Sequence, residues 1–344
     1  MILLYQKVKE YLMERIENSK PGDFLPSENE LCQQFNVSRI TIQRAIKDLL
    51  EKELIVRKKG KGTFVAPSVL NRTSAAKTIK IIFPSGGDPE DDFLFPIIRG
   101  LIDHFQHSQF HFVLSPWKSS QKKIERFSDF SGIFWIAPDE KDFHTIEEIS
   151  LNGVPLIVIN RVMKTPFINF VSTDHYKAGL TGAEYLVSRG HRSIVFVGLI
   201  KGNTCSYHMY EGYRAALEKA GMRTSSPLII SACLNSKMKI GKGFHKKLNR
   251  VIEKHCPDGL FVAGELFLPD VLESLERKNL IPGRDVDIVL SDEVPDGAPY
   301  KENIIGLIQP LSEIGDIAAR CMKQILNGEK KRIRVQIPPV LRKV

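Results

Sequence analysis

The side chains best suited to contact a nucleic acid lie in the string SRITIQRAIKDLL, from Ser38 to Leu50. On a helix, with about 100° between successive residues, its apolar side chains share one face and most of its polar side chains occupy the opposite face. Arginine and glutamine form bidentate hydrogen bonds with guanine and adenine edges in the major groove. The polar face therefore predicts base contacts by Arg39, Gln43 and Arg44, with Lys47 on the same side.

Ile40 is an aliphatic residue on this polar face. An exposed isoleucine near the start of a base-recognition helix would pack on a thymine methyl group. The alternative is an incidental exposed aliphatic side chain, which is common on protein surfaces. The sequence leaves both interpretations open.

A second basic segment follows in LIVRKKGKGTFVA. Its β-branched and aromatic residues flank a glycine-containing tip, which is typical of a two-stranded wing. Lys58, Lys59 and Lys61 would then contact phosphates or the minor groove, which adds salt-dependent affinity but little sequence discrimination. A solvated charge run is the alternative, and the position after a helix pair favours the wing. The spacing of GKGKGT does not fit a phosphate-binding P-loop.

The elements that position these side chains are also visible in the sequence. An amphipathic first helix is predicted by an apolar stripe at spacings of four: Leu4, Val8, Leu12 and Ile16. Ser27 and Glu30 have the spacing of a capping box, so a second helix is predicted from Glu28 to Phe35. Asn36 marks a turn, and a third helix begins at about Arg39. This spacing predicts a helix-turn-helix whose last helix recognises DNA.

The segment from Tyr5 to Val65 resembles the winged helix-turn-helix of the GntR family of bacterial transcription regulators. The strings LPSE, VSR, T-x-x-x-A and G-x-G-T-F-V occur in the family's order. The resemblance implies that several of these residues lie near DNA. With the basic side chains and Ile40 named above, and Thr63 of the wing, the predicted DNA-binding set is Ser27, Ser38, Arg39, Ile40, Thr41, Gln43, Arg44, Lys47, Lys58, Lys59, Lys61, Gly62 and Thr63.

Length and charge indicate what else the chain contains. With 344 residues, 42% of them hydrophobic and 26% charged, it can form two or three lobes with an apolar core. The net charge is +9, and the stretch from Ser38 to Ala66 carries more than half of it, which favours a polyanionic partner there. We expect a DNA-binding domain over 1–66, a small and polar linker over 67–78 and a larger body over 79–344.

Several protein classes are disfavoured. The five cysteines are scattered without C-x-x-C spacing, so we expect neither a disulfide framework nor a metal site. The apolar runs are far shorter than the ~20 residues of a membrane helix, and no export signal is visible, so the expected location is the cytoplasm. The absence of H-E-x-x-H, G-x-S-x-G and a dinucleotide-binding G-x-G-x-x-G predicts no catalytic residue and no cofactor.

The body alternates short apolar runs with helical stretches. The runs begin at Ile79, Phe110, Gly132, Pro155, Ile194, Leu228, Gly259 and Val286. Continuous apolar strands between helices predict an α/β fold with parallel sheets covered on both faces. Ligands of such sheets bind at the carboxyl ends of the strands, so a binding cleft is predicted there. The residues that follow the runs at these ends are Ser85, Asn160, Arg161, Gly264, Glu265, Ser291 and Asp292.

The body from Ile79 to Val344 resembles the LacI/GalR effector-binding core, which shares its fold with periplasmic sugar-binding proteins. Strings that carry the resemblance include VPLIVINR, YEGYRAALEKAG, VDIVLSDE and IGLIQPLSEIGDIAA. It implies two lobes, the second over roughly 171–303, and an effector held between them. The implied effector-binding set is Ser85, Asp91, Phe93, Arg161, Gly264, Glu265 and Asp292. The sequence departs from the family at Gly264, where asparagine is common, and at Glu265, where aspartate is usual.

Together these features predict a ligand-responsive transcription regulator, with an architecture similar to arabinose-repressor-type regulators of bacilli. We expect a homodimeric repressor of carbohydrate catabolism genes that binds a pseudo-palindromic double-stranded operator and a sugar or sugar derivative. The linker over 67–78 has no counterpart of the LacI hinge helix, so the wing would take its role. The alternative is a solute-binding protein without a gene-regulatory role, which the basic N-terminal segment opposes.

Overall fold

A computed structural model describes most of the chain, namely residues 4–17, 19, 22–51, 54–58, 62–66, 77–106, 108–118, 127–198, 204–222, 229–231, 243–329 and 332–343. The chain divides into two compact units. The first contains Met1–Thr78 with Gln109–His111, and the second contains Ile79–Ser108 with Phe112–Val344. No helix among the described residues is long and apolar enough to cross a membrane.

The described residues of the first unit form three helices and a β-hairpin: α1 (Leu4–Glu17), α2 (Glu28–Phe35), α3 (Arg39–Glu51), β1 (Ile55–Lys58) and β2 (Gly62–Val65). The predicted bounds of α2 and the predicted start of α3 are confirmed. Ser27 and Glu30 form the capping box, and Asn36 ends α2 in the left-handed conformation, with φ of 50°. These caps satisfy backbone groups that would otherwise lack partners at the helix ends.

The core of this unit is built from one apolar face of each helix. Val8, Leu12 and Ile16 of α1 are buried, which confirms three positions of the predicted stripe. They pack with apolar residues of the other elements, which include Leu25, Leu31, Ile42, Ala45, Ile46, Leu49, Leu54, Ile55 and Val65. Because the apolar face of α3 is buried in this core, the opposite face of α3 is in contact with solvent.

The second unit contains two six-stranded sheets. In the order of their neighbours, the first sheet is β13-β7-β6-β5-β3-β4 and the second is β14-β12-β11-β10-β8-β9. The strands are β3 (Lys77–Pro84), β4 (Phe110–Trp117), β5 (Gly132–Ile136), β6 (Leu156–Ile159), β7 (Asn169–Thr173), β8 (Ile194–Gly198), β9 (Ile229–Ser231), β10 (Gly259–Val262), β11 (Asp287–Leu290), β12 (Ile304–Ile308), β13 (Arg334–Ile337) and β14 (Val340–Lys343). The central strands of both sheets are parallel, and β14 is antiparallel to β12.

Helices cover these sheets, as predicted for the α/β class. They are α4 (Leu94–Asp103), α5 (Phe143–Leu151), α6 (His175–Ser188), α7 (Thr204–Lys219), α8 (Gly243–His255), α9 (Leu268–Glu276) and α10 (Leu311–Leu326). Four strands, β7, β12, β13 and β14, do not belong to the apolar runs that predicted the others. The last two have mostly exposed or half-buried side chains, so they lack the continuous apolar run of a buried strand.

The chain crosses between the two sheets three times. It leaves the first sheet after β7, returns to it between β12 and α10, and leaves it again between β13 and β14. The predicted second lobe, 171–303, is therefore wrong at both limits. Thr173 still belongs to the first sheet, whereas β12 and β14 complete the second because they pair with β11 and with each other.

Helices α6 and α7 pack backbone against backbone. A Cβ atom added to Gly179 would lie 1.8 Å from the carbonyl oxygen of Met209, and one added to Gly212 would lie 2.0 Å from that of Tyr176. Only glycine fits at such distances, since any Cβ atom would overlap the opposite backbone. This close packing fixes the N-terminal residues of both helices, which line the cleft described below.

Candidate DNA-binding surface and effector cleft

The polar face of α3 is exposed as predicted. Ile42, Ala45, Ile46 and Leu49 are buried, whereas Arg39, Gln43, Arg44 and Lys47 are exposed. Ile40 is 78% exposed and packs into no core cluster of this unit. Both interpretations of Ile40 therefore stay open. An exposed polar face beside a capped turn has the arrangement that a helix needs to enter a major groove.

Glu28, at the start of α2, joins three basic or amide side chains on this surface. Its carboxylate accepts a hydrogen bond of 2.9 Å from Nε of Arg39, one of 3.2 Å from Nε2 of Gln43 and an ion-paired one from Arg57 of β1. Partial burial raises the pKa of Glu28, but the bonds from Arg39 and Gln43 and the charge of Arg57 outweigh it and lower the pKa. Glu28 therefore stays ionised and links α3 to the wing.

Sequence reasoning missed Glu28 and Arg57 as functional candidates. The signal that was available is the glutamate of LPSE, which was interpreted only as part of the helix start. Its role depends on a contact between residues 28 and 57, and amphipathic periodicity does not reveal such a contact. The predicted DNA-binding surface thus contains the carboxylate of Glu28 beside the basic groups of Arg39 and Arg57.

The other predicted DNA-binding residues of the helix pair have local partners. The guanidinium of Arg44 lies over the ring of Tyr5, 4.9 Å from its centroid. The hydroxyls of Ser38 and Thr41 are 3.1 Å apart, within hydrogen-bonding distance. The hydroxyl of Ser27 accepts the backbone N–H of Glu30, so this residue has a structural role as a helix cap.

The wing is an antiparallel hairpin of β1 and β2. Lys58 is exposed and its ammonium lies 5.1 Å from the ring centroid of Phe64, while Lys59 and Lys61 lie outside the described residues. Thr63 is half-buried on β2. Gly62 has φ of 107°, and a Cβ atom there would lie 2.7 Å from the ring of Phe24. Glycine at this position is therefore explained by backbone conformation and ring packing.

In the body, Arg161 follows β6 and reaches across to α7. Its Nε donates to the carbonyl oxygen of Pro138 at 3.1 Å, and its Nη1 donates to that of Asn160 at 3.0 Å. Nη1 is also 3.0 Å from Sγ of Cys205, near the N-terminus of α7. Burial raises the pKa of the Cys205 thiol, so it is neutral beside the guanidinium. Nη2 has no hydrogen bond among the described residues, which leaves it free to bind a ligand.

A network of hydrogen-bonded side chains joins the two sheets. It lies where the polypeptide crosses from the second sheet to the first, between β12 and α10. Gln309 donates from Nε2 to Oδ1 of Asp292 at 2.6 Å. Its Oε1 accepts from Nδ2 of Asn160 at 3.1 Å and from the hydroxyl of Thr173 at 2.9 Å. Asp292 also accepts the backbone N–H of Glu265 at 2.9 Å. One amide side chain thus contacts residues that follow or end strands of both sheets.

Burial raises the pKa of Asp292 to about 6, although the bonds from Gln309 and from the Glu265 backbone lower it. The carboxylate of Glu265 raises the pKa of Asp292 further. Asp292 therefore carries most of its charge at neutral pH but loses it in mildly acidic solution.

The remaining predicted effector residues occupy the loops at the carboxyl ends of β3 and β10. The backbone N–H of Ser85 donates to the carbonyl oxygen of Trp117, and its side chain is exposed. Asp91 accepts the backbone N–H of Phe93 at 3.0 Å, and Phe93 is half-buried. Gly264 has φ of 123°, and a Cβ atom there would lie 4.0 Å from Oδ2 of Asp292.

Sequence reasoning placed Asn160 at this cleft, but it missed the buried residue His175, and it also missed Gln309 as a contact. His175 begins α6, is 2% exposed, and neither ring nitrogen has a hydrogen-bond partner. Burial, with a contribution from Arg161, lowers its pKa to about 3, although Asp292 and Asp174 raise it. The imidazole is neutral and can still donate one hydrogen bond and accept another. The hydroxyl of Ser291, which is 2% exposed, is also without a partner.

One group of described residues has the atom types of a metal site. Nε2 of His245 lies 2.7 Å from Asp270 and 3.8 Å from Glu273, on the facing helices α8 and α9. Glu273 also pairs with Arg277. These side chains therefore contact one another and join α8 to α9.

These surfaces define a class of protein. A DNA-recognition unit joined to a body with a polar cleft between two α/β lobes is the architecture of a ligand-sensing transcription regulator. Two family models match separate segments of the sequence. Residues 4–65 match the bacterial regulatory proteins of the gntR family, and residues 183–343 match the periplasmic binding protein-like domain. The chain is a transcription regulator that joins a helix-turn-helix of the gntR type to a periplasmic-binding-protein-like domain.

Two relatives that match over most of their own length are named as a control protein and a transcriptional repressor. Catabolite control protein A of Priestia megaterium is 22% identical over 87% of this chain and 92% of its own length. The arabinose metabolism transcriptional repressor of Halalkalibacterium halodurans is 22% identical over 95% of this chain and 89% of its own length. A structure of the transcriptional regulator CelR with cellobiose covers 89% of this chain and 90% of its own, with a TM-score of 0.65 and 19% identity. At that identity the structural match supports the fold alone.

Proposed function

We propose that the chain is a homodimeric repressor of carbohydrate catabolism genes that binds a pseudo-palindromic operator and responds to a sugar or sugar derivative. In this proposal residues 1–66 contact DNA, residues 67–78 link the two parts, and residues 79–344 bind the effector and the second subunit. Such a protein acts on chromosomal DNA in the cytoplasm and performs no catalysis.

The observation that carries the proposal is the cleft at the carboxyl ends of the parallel strands. Arg161 has a guanidinium nitrogen without a hydrogen bond among the described residues, Asp292 is a half-buried carboxylate, and His175 is buried without a partner. Buried polar groups are nearly always hydrogen-bonded in folded proteins, so unpaired ones gathered at one cleft indicate a polar ligand. Hydroxyl groups of a sugar donate and accept hydrogen bonds, which is what these side chains require.

The polypeptide crosses between the two sheets three times, and ligand binding would change operator affinity through these crossings. A ligand that binds Asp292 competes with Gln309, whose other contacts, Asn160 and Thr173, belong to the first sheet. A ligand that prefers one arrangement of the lobes shifts the population toward it. In a dimer, such a shift changes the distance between the two recognition helices and hence the fit to half-sites about one helical turn apart.

The DNA-binding part is tested by selecting sites from a random double-stranded library with the full chain. We expect an inverted repeat, and we expect Arg39→Ala combined with Arg44→Ala to abolish preference for it, by fluorescence anisotropy. The control is Lys246→Ala combined with Arg250→Ala, which removes the same charge from the exposed face of α8. Unchanged preference in the first pair contradicts the assignment of α3.

The effector part is tested by screening sugars for a change in operator affinity. Arg161→Ala should abolish the response of the responding sugar and leave the circular dichroism spectrum of the protein unchanged. A normal response in this variant moves the effector site elsewhere. If sugars bind the chain but no DNA sequence is selected, the solute-binding alternative replaces the repressor.

A further inference from the structure

Three carboxylates lie in loops that follow strands of the two different sheets. Glu265 follows β10 of the second sheet, and Asp91 and Asp92 lie in the loop that leads from β3 of the first sheet to α4. These positions lie at the carboxyl ends of strands in the two lobes, which is where the lobes meet across the cleft. Partial burial raises the pKa of Glu265, and the charges of Asp92 and Asp91 raise it further, so the three carboxylates interact electrostatically.

The structure shows no cation that neutralises this group within the described part of the chain. Asp91 accepts backbone N–H groups at the start of α4, and the backbone N–H of Glu265 donates to Asp292. Arg161 is bound to Pro138, Asn160 and Cys205. His175 is neutral because its pKa is about 3, so it adds no positive charge.

A second observation points to a ligand in the same cleft. Both ring nitrogens of His175 and the hydroxyl of Ser291 are buried without partners, and His175 is electrostatically coupled to Arg161 and Asp292. Unpaired polar groups are costly in a protein interior unless a ligand or water satisfies them. The deep part of the cleft therefore requires hydroxyl groups, and its opening is complementary to a positive charge.

We propose that the effector is a polyhydroxyl compound with a cationic amine, such as an amino sugar, whose ammonium group binds between Glu265, Asp91 and Asp92. This inference rests on the proposed effector function of the cleft. The hydroxyl groups would bind Arg161, His175, Ser291 and Asp292. The same carboxylates repel a phosphorylated sugar or a sugar acid, so they select by charge against the anionic derivatives of one carbohydrate.

The test uses the full chain and matched sugars. Thermal shift and isothermal titration calorimetry are run with glucosamine, galactosamine and mannosamine, with their parent hexoses, with their N-acetyl forms and with the hexose 6-phosphates. We expect at least one free amine to bind about tenfold or more tightly than its parent hexose and its N-acetyl form. Equal or tighter binding of the neutral or phosphorylated sugars overturns the proposal, and so does the lack of binding by all three amines.

Variants then locate the amine. Glu265→Gln and Asp92→Asn each remove one charge and keep the side-chain shape, and each should weaken amine binding by about tenfold while reducing the preference over the parent hexose. Glu276→Gln, on the exposed surface of α9, is the matched control and should bind the amine normally. Amine binding that survives both cleft variants overturns the assignment.

The operator assay separates this inference from the proposed function. If a neutral sugar changes operator affinity and no amine binds, the proposed repressor function is supported. The proposal that the effector carries an amine is then wrong. If an amine binds the cleft but no DNA site is selected, the ligand class stands and the repressor function is wrong.

Discussion

Arg39 at the start of the recognition helix donates a hydrogen bond of 2.9 Å to the carboxylate of Glu28, which is itself only 15% exposed. A negative charge on a DNA-binding surface opposes the approach of phosphates. Here the same charge holds Arg39 and Gln43 in one position before DNA binds, and it fixes Arg57 of the wing beside them. Glu28 therefore holds two of the side chains that are predicted to contact DNA, Arg39 and Gln43, together with Arg57 of the wing.

Replacing Glu28 with glutamine should lower the preference for the selected operator over a scrambled duplex by about tenfold, the order of one well-placed base contact. Binding to the scrambled duplex should stay the same or become tighter, because one negative charge is lost. Fluorescence anisotropy with both duplexes measures the ratio. Glu30→Gln is the matched control, since the carboxylate of Glu30 accepts the backbone N–H of Ser27 in the helix cap. An unchanged ratio in Glu28→Gln would show that the contact has no role in recognition.

Gln309 is expected to couple the effector to the relative position of the lobes. Gln309→Leu keeps the size of the side chain but leaves Asn160 and Asp292 without this partner, which should lower stability by about 1–3 kcal/mol. The effect of the responding sugar on operator affinity should also shrink. The exposed residue Gln336 provides the control as Gln336→Leu. If the Gln309→Leu variant keeps the full response, Gln309 does not couple effector binding to operator affinity.

Effector binding should weaken as the pH falls through about 6. Burial raises the pKa of Asp292 to about 6, so at pH 5 most of this carboxyl group is protonated and accepts hydrogen bonds poorly. His175, with a pKa of about 3, stays neutral over this range and cannot produce the effect. Calorimetry between pH 5 and 8 should show a loss of about tenfold in affinity at the acid end. In Asp292→Asn the affinity should be lower throughout, and the dependence near pH 6 should disappear.

The contact between α6 and α7 sets a stability test. Gly179→Ala would place a methyl group 1.8 Å from the carbonyl oxygen of Met209, so the helices must separate. We expect a loss of about 3 kcal/mol or more, seen as a lower unfolding midpoint. Gly86→Ala is the control, because a Cβ atom at Gly86 meets nothing within 4 Å. Equal midpoints in the two variants would contradict the close helix packing.

Local features of the fold were predictable. The capping box at Ser27 and the turn at Asn36 determine the ends of α2, and both depend on residues within one turn of the chain. The residues at strand ends, Arg161 and Asp292 among them, were found because parallel strands direct their carboxyl ends to one edge. Their roles in binding stay a prediction.

Other features depend on contacts between distant parts of the sequence. Gln309 and Asn160 are 149 residues apart and meet only because the chain returns to the first sheet after β12. The limits of the second lobe were wrong for the same reason. His175 escaped notice because a lone histidine at a helix start has no spacing signal, and only its burial without partners distinguishes it.

The route of the chain between the sheets also governs when the body can form during synthesis. The first sheet is incomplete until β13 pairs with β7, and the second is incomplete until β14 pairs with β12. Both additions come after residue 333, although β3 begins at Lys77. The strands that complete the two sheets are therefore translated after all their other strands. Until then the unfinished edges are open to wrong pairing, whereas the N-terminal unit is free to fold first.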